Sequence, residues 1–200
     1  MKGMDEKMDT TEKLQKINWL YLLLNIVGPV VFMIGMTALG LAFPQQIGVF
    51  FSIIGFGGAM LWWCFLGHKF YEKSRDAQIA KLEESGFVCN HTFNADGCTL
   101  IVDLVNGQVA LIFRWNPGKA YVRPASALSN VYVDDGRGGA GFMEGSSRVS
   151  FLFLVDGMKI RVNTFSSNKR WRMDSDYILT GISKADVMVE ALTAAGAKRR

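Results

Sequence analysis

Leu20 to Phe43 reads LYLLLNIVGPVVFMIGMTALGLAF and Ile47 to Leu66 reads IGVFFSIIGFGGAMLWWCFL, and neither run holds a charged residue. A helix needs about 20 apolar residues to cross the hydrocarbon of a bilayer, so each run predicts a transmembrane span. Pro44-Gln45-Gln46 between them is uncharged and long enough only to turn, which makes the pair a hairpin. A secretory signal is the rival for the first run. Against it stand Asp5, Glu6, Asp9 and Glu12 among the preceding lysines, the length of the apolar run, and Phe43-Pro44 where a cleavage site needs small residues. A buried helix pair in a soluble protein is the other rival, but a core helix this long ordinarily keeps a polar face.

Working outward, Lys2, Lys7, Lys13 and Lys16 precede the first span, and Lys69, Lys73, Arg75 and Lys81 follow the second. Cytoplasmic flanks carry the excess of Lys and Arg, so a multi-pass protein of the inner membrane with both termini cytoplasmic is expected. Trp19 and Tyr21 at one end, with Trp62, Trp63, Phe70 and Tyr71 at the matching exit, suit an interfacial aromatic belt. The net charge of +4 is accounted for by this topology and the anionic inner leaflet, and nucleic acid is not expected as a partner. Within the membrane, Asn25 and Pro29 interrupt the first run, and Gly48, Gly55, Gly57 and Gly58 crowd the second. Small residues let helices approach closely; they serve hairpin packing or a self-association surface in which Asn25 is polar glue. With no intramembrane charge, an ion or proton path is not expected.

Lys69 to Ser85 stays helix-compatible, and Gly86 is placed to end it. The chain therefore divides into a cytoplasmic segment 1–18, a transmembrane hairpin 19–68, a juxtamembrane helical stalk 69–86 and a cytoplasmic β domain 87–200. Beyond Gly86 the pattern alternates, and turn signals recur at Asp96-Gly97, Asn106-Gly107, Asn116-Pro117-Gly118 and Asp156-Gly157. A two-residue turn at Asn106-Gly107 pairs Leu104 with Val109, Val102 with Leu111, Leu100 with Phe113 and Cys98 with Trp115, all apolar, with Thr99, Asp103, Gln108 and Arg114 on the other face. Asp156-Gly157 likewise pairs Val155 with Met158, Phe153 with Ile160 and Phe151 with Val162, sending Lys159, Arg161 and Asn163 outward. With strands at 87–93, 121–123 and 127–133, about seven antiparallel strands are expected. A C-terminal helix follows, with Ser183 as N-cap, Asp186 completing a capping box, Ile182 stapled to Val187, a stripe of Ala185, Met188, Val189, Leu192 and Ala195, and Gly196 at its end.

Seven antiparallel strands closed by one C-terminal amphipathic helix resemble the pleckstrin-homology-like fold. Arg123 to Asp135, RPASALSNVYVDD, resembles the polar-proline strand start of small bacterial membrane-anchored proteins with such domains. The resemblance covers Phe87 to Gly196 and implies a barrel-like β domain. Phosphoinositide-binding members cluster basic residues in the first hairpin turn, which here, Asn94 to Gly97, has no Lys or Arg, so headgroup binding is not expected there.

Candidate chemistry is sparse. Gly136 to Gly141, GRGGAG, satisfies G-x-G-x-x-G, but a dinucleotide site needs a helix after it, and a strand from Ser147 follows instead. A long hairpin loop is expected, with Arg137 as a candidate anion or partner contact. Cys89, His91 and Cys98 invite a metal or disulfide reading, yet the two cysteines fall roughly 13 Å out of register where a bridge needs Cα atoms within about 7 Å, and zinc lacks a fourth ligand. They are expected in the core. No metal, cofactor or catalytic constellation is expected, and His68 is read as interfacial. Lys169, Arg170, Trp171 and Arg172 form the most suggestive polar cluster, either meeting anionic lipid, a phosphate ligand or an acidic partner, or protecting an edge strand by charge.

The expected function is that of a non-enzymatic scaffold held in the lipid bilayer, presenting its β domain to a protein partner or to itself. Leu152 and Leu154, apolar on the outward face of their strand, are candidate contacts unless the helix covers them. Two alternatives stay open: a membrane-disrupting antiphage effector whose β domain senses a cyclic nucleotide, and an immunity protein against a pore-forming toxin.

Overall fold

The computed structural model describes residues 13–95, 97–138 and 144–200. Helix α1, Trp19–Gly40, and helix α2, Gln45–Glu84, are both long and apolar enough to cross a membrane. Asn18 opens α1, its Oδ1 accepting from the backbone N–H of Leu20 at 3.0 Å and of Tyr21 at 3.2 Å, the arrangement that makes Asn a good N-cap. The first helix stops at Gly40, short of the apolar run's end at Phe43, and Gln45 and Gln46 belong to α2 rather than to the turn. The helices meet through glycines, as expected of hairpin packing. A Cβ on Gly48 would lie 2.5 Å from the Gly40 carbonyl, and one on Gly55 2.8 Å from Met36 Cβ, whereas Gly57 faces open space. Away from that seam the apolar side chains are exposed, Leu20 by 67%, Phe50 by 63% and Phe65 by 60%, unlike the helices of a soluble core.

Each helix contains one π-helical turn, Leu23–Val27 in α1 and Trp62–Leu66 in α2. The Asn25 carbonyl accepts from Trp63 Nε1 at 3.3 Å, while Asn25 Nδ2 donates to the Tyr21 carbonyl at 2.8 Å. The amide expected as glue between chains is thus engaged within its own helix. At the far end α2 closes on Gly86 at φ +90, with Phe87 N–H donating to the Leu82 carbonyl and Gly86 N–H to that of Glu83, both at 3.0 Å. This is a Schellman closure.

The chain divides into two compact units, one of Gln15–Ile79 with Arg114–Gly118, the other holding Leu14, Ala80–Phe113 and Lys119–Arg200. In the helical unit, Ile17 bridges Trp115 in parallel, Asn18 N–H donates to the Trp115 carbonyl at 2.8 Å, and Asn116 Nδ2 donates to the Gln15 carbonyl at 3.0 Å.

The other unit is built on seven strands in two sheets. One orders β1 (His91–Asn94), β2 (Cys98–Asp103), β3 (Gln108–Phe113) and β4 (Asn116–Pro124); the second orders β5 (Ser129–Asp134), β6 (Gly145–Val155) and β7 (Met158–Arg172). The strand number is as expected, but no ladder among the described residues closes the sheets into a barrel. Helix α3, Asp176–Ala194, packs on β5, β6 and β7. The core between helix and sheets includes Leu100, Val102, Leu111, Phe151, Phe153, Ile178, Val189 and Leu192.

Four sequence expectations are corrected. The β2–β3 hairpin keeps its inward face but slips by two residues, pairing Val102 with Val109, Leu100 with Leu111 and Cys98 with Phe113. Its turn has four residues, because Asp103 Oδ1 accepts from Val105 N–H and Asn106 N–H, both at 2.9 Å, and folds the chain before Asn106 is reached. Leu104 and Trp115, expected inside, are exposed by 37% and 38%, while Thr99 and Asp103, expected outside, are fully buried. Next, Asn116-Pro117-Gly118 is the start of β4 rather than a turn, and β4's place at the sheet edge tolerates a proline. The first strand starts at His91, leaving Cys89 before it, and Cys89 and His91 are half-buried while only Cys98 is in the core; all three cysteines, Cys64 included, are free. Finally, α3 starts at Asp176 with Ser175 as N-cap, placing Ser183 mid-helix and leaving Val187 exposed by 50%, so neither the capping box nor the staple forms its end. Its C-terminus is as expected: Gly196 at φ +111 follows it, and Ala197 N–H donates to the Leu192 carbonyl at 2.9 Å. The Asp156-Gly157 hairpin also has the expected register, with Val155 opposite Met158, Phe153 opposite Ile160 and Phe151 opposite Val162. Asp96 of the first turn lies outside the described residues.

Candidate functional site

Along β6 the alternation of side chains separates two surfaces. Val149, Phe151 and Phe153 face the core under α3, where Gly181 approaches Val149 and Phe165. Leu152 and Leu154 therefore lie on the face opposite α3, where Leu152 is only 1% exposed and Leu154 is half-buried. Register aligns Tyr132, Leu152 and Arg161 in one row across β5, β6 and β7, with Leu154 opposite Lys159 in another. Tyr132, Leu152, Leu154 and Lys159, together with Asn130, Phe153 and Arg200, line a hollow of about 300 Å³. Two cations stand over the Tyr132 ring, Arg200 Cζ at 5.1 Å from its centroid and Lys159 Nζ at 6.0 Å. Arg200 is brought there by the tail after α3, which runs parallel to β5: Lys198 N–H donates to the Leu128 carbonyl at 3.0 Å and Arg200 N–H to that of Val131 at 3.2 Å. The hollow thus combines an apolar floor with cations, a setting suited to apolar and carboxylate groups of a partner.

The next row on this face holds Asp134, Ser150 and Asn163. Asp134 Oδ2 pairs with Arg161 Nη2 at 3.2 Å. Ser150 Oγ and Asn163 Oδ1 are buried, and neither has a hydrogen-bond partner among the described residues; the same holds for Arg148 Nε. Buried polar atoms ordinarily find partners, so this row retains unused hydrogen-bonding capacity.

The cationic cluster lies at the far end of the same sheet. Between the pairs Ser146–Trp171 and Arg148–Ser166, β7 carries a four-residue excursion, Ser167 to Arg170, opposite one residue of β6. Ser167 Oγ organises it, accepting from Lys169 N–H and from Trp171 Nε1, both at 3.1 Å. Arg170 lies against Gly138, whose bridge to Gly145 closes the β5–β6 loop. Arg137 is therefore brought close to Arg170 in the fold, but Arg137 pairs with Asp135 at 3.2 Å and Glu144 at 3.4 Å, and Arg172 with Asp174 at 2.9 Å. Lys169 and Arg170 have no carboxylate partner among the described residues. Trp171 faces inward, its ring 4.5 Å from that of Tyr177. The rest of the glycine-rich loop, 139–141, lies outside the described residues.

Cys89 and His68 are two further side chains with chemical potential. Burial pushes the Cys89 thiol above its usual range, and neighbouring Glu83 and Asp103 add to it, so the reactive thiolate is disfavoured. His68 Nε2 lies 3.3 Å from Glu72 in an exposed pair. Alternation did place Leu152 and Leu154 on the outward face, whereas the roles of Tyr132 and Arg200 depend on the parallel tail, which no local pattern announces. In comparison with known proteins, no protein-family model, no curated protein and no solved structure matches the chain.

Proposed function

We propose that this chain is a non-enzymatic interaction protein anchored in the inner membrane, with α1 and α2 crossing it as a hairpin and both termini in the cytoplasm. Support for the anchoring comes from the exposed apolar surface of both helices and from the lysines and Arg75 flanking them. The β unit resembles a pleckstrin-homology-like domain, in keeping with its four-stranded and three-stranded sheets and C-terminal helix. The observation that carries the functional reading is the face of β5–β6–β7 opposite α3, where Tyr132, Leu152 and Leu154 meet Lys159 and Arg200 around a hollow. Its occupant is a segment of a partner protein bearing apolar side chains and carboxylates.

Purification of the full chain in mild detergent, followed by mass spectrometry, tests this. A stoichiometric protein partner is expected, and Tyr132→Ala with Lys159→Glu lowers its recovery roughly tenfold, as loss of an aromatic anchor does, without altering the circular dichroism. Recovery of a homo-oligomer alone would overturn the reading and favour the membrane-disrupting effector.

A further inference from the structure

Within the helical unit, the π-helical turns Leu23–Val27 and Trp62–Leu66 stand at one level, tied by the Trp63 Nε1 to Asn25 carbonyl bond. A π turn inserts a residue into the helix and often marks a functional position. Two spaces adjoin at this level. On one side is a hollow of about 130 Å³, lined by Tyr21, Trp62, His68, Tyr71 and Arg114 among others. On the other, a groove of about 410 Å³ between α1 and α2 is lined by Leu24, Gly28, Phe32, Gly58 and Ala59. Trp62 borders both.

The chemistry of the two spaces is opposite. Arg114 supplies a cation to the hollow, Tyr21 and Tyr71 stand within electrostatic reach of one another, and Arg114 is within reach of Tyr21. No carboxylate lines the hollow, although Glu72 pairs with His68 at its edge. The groove is apolar throughout, apart from the Trp62 indole N–H at the junction. That nitrogen is buried and has no hydrogen-bond partner among the described residues, so it is a donor lacking an acceptor. A free anion would suit the hollow and leave the groove empty. A helix from a second copy would fill the groove but bring no acceptor to Trp62 and leave the hollow empty.

We propose that the helical unit holds one anionic phospholipid, its phosphate-bearing head in the Arg114 hollow and one acyl chain in the groove beside Gly58. A charge-assisted contact from arginine to phosphate fixes the head, and the apolar groove fixes the chain's direction. The inference rests on the membrane reading above.

Native mass spectrometry of the full chain tests it after reconstitution into vesicles of equal phosphatidylglycerol and phosphatidylcholine and re-extraction in mild detergent. One phosphatidylglycerol retained per chain, in preference to phosphatidylcholine, is expected. Arg114→Gln lowers that retention roughly tenfold, the effect of one lost charge-assisted bond, while Lys184→Gln, on the exposed side of α3, leaves it unchanged. Gly58→Leu, which fills the groove, lowers retention of both lipids. Equal retention of the two lipids by the unaltered chain, a copy of the chain in place of lipid, or retention unaffected by Arg114→Gln would overturn the proposal with the anchoring intact. A chain that never entered the vesicles would overturn both.

Discussion

Asp103 accepts four hydrogen bonds on its two oxygens: Val88 N–H at 2.9 Å and Asn106 Nδ2 at 2.7 Å on Oδ2, Val105 and Asn106 N–H on Oδ1. Burial opposes its ionisation, but these donors outweigh it and hold the carboxyl below its ordinary value. A group whose folded-state pKa is depressed adds stability that is present above the unfolded pKa, about 3.9 for aspartate, and lost as pH falls through the folded value. The full chain in detergent should therefore lose stability as pH drops below about 4. Asp103→Asn, which cannot accept all four donors, should cost about 1–3 kcal/mol at neutral pH and flatten the acid limb. Urea unfolding followed by near-UV circular dichroism across pH reads both effects, and a variant as stable as the parent would refute the role. The same carboxylate explains why the β2–β3 register was only half legible. Asn106-Gly107 is a strong turn signal, and it located the turn; Asp three residues earlier was the sign that the turn is longer. Arg123 is a second buried charge invisible to alternation: only 3% exposed, its Nε and Nη2 both lie 2.8 Å from Asp156 Oδ2, at the β6–β7 turn.

Helix α3 is where periodicity and glycine gave conflicting signals. The stripe Ala185, Val189 and Leu192 was legible and is buried, yet the helix runs for nearly two further turns before Ser183. Gly181 hides that first part, since a glycine ahead of a capping pattern looks like a boundary. The residue is small for a tertiary reason: a Cβ there would lie 2.8 Å from Phe165 Cβ and 3.3 Å from Val149 Cβ. The close approach also lets Thr164 Oγ1 donate to the Gly181 carbonyl at 2.7 Å. Alanine normally stabilises a helix by about 1 kcal/mol over glycine, but overpacking a core costs about 1–3 kcal/mol. Gly181→Ala is therefore expected to destabilise by on the order of 1 kcal/mol, whereas Gly57→Ala, in open space, should be neutral or stabilising. Thermal unfolding of the two variants beside the parent decides, and a Gly181→Ala protein more stable than the parent would contradict the packing described.

At the scale of the whole molecule, the helical hairpin was legible from composition alone because twenty uncharged residues leave few structural choices. The division of seven strands into two sheets was not, since local alternation says which residues face inward but not which strands end up hydrogen-bonded. Anchored by its hairpin, the full-length chain is expected to stay with the membrane fraction after gentle lysis and salt washing, and a cytoplasm-dependent reporter fused behind Arg200 to be active. Recovery in the aqueous fraction, or activity only of a periplasmic reporter, would rule it out. The four-residue excursion in β7 bears on how any partner can bind. β7 is the edge of its sheet, and a regular edge offers its main chain for β-augmentation by an incoming peptide. Ser167 to Arg170 break the row of backbone donors and acceptors near its C-terminal end and put two cations there, which blunts pairing with a foreign strand. Recognition at that end must then proceed through side chains, so that selectivity among partners follows the identity of a few surface residues rather than the generic appetite of an open sheet.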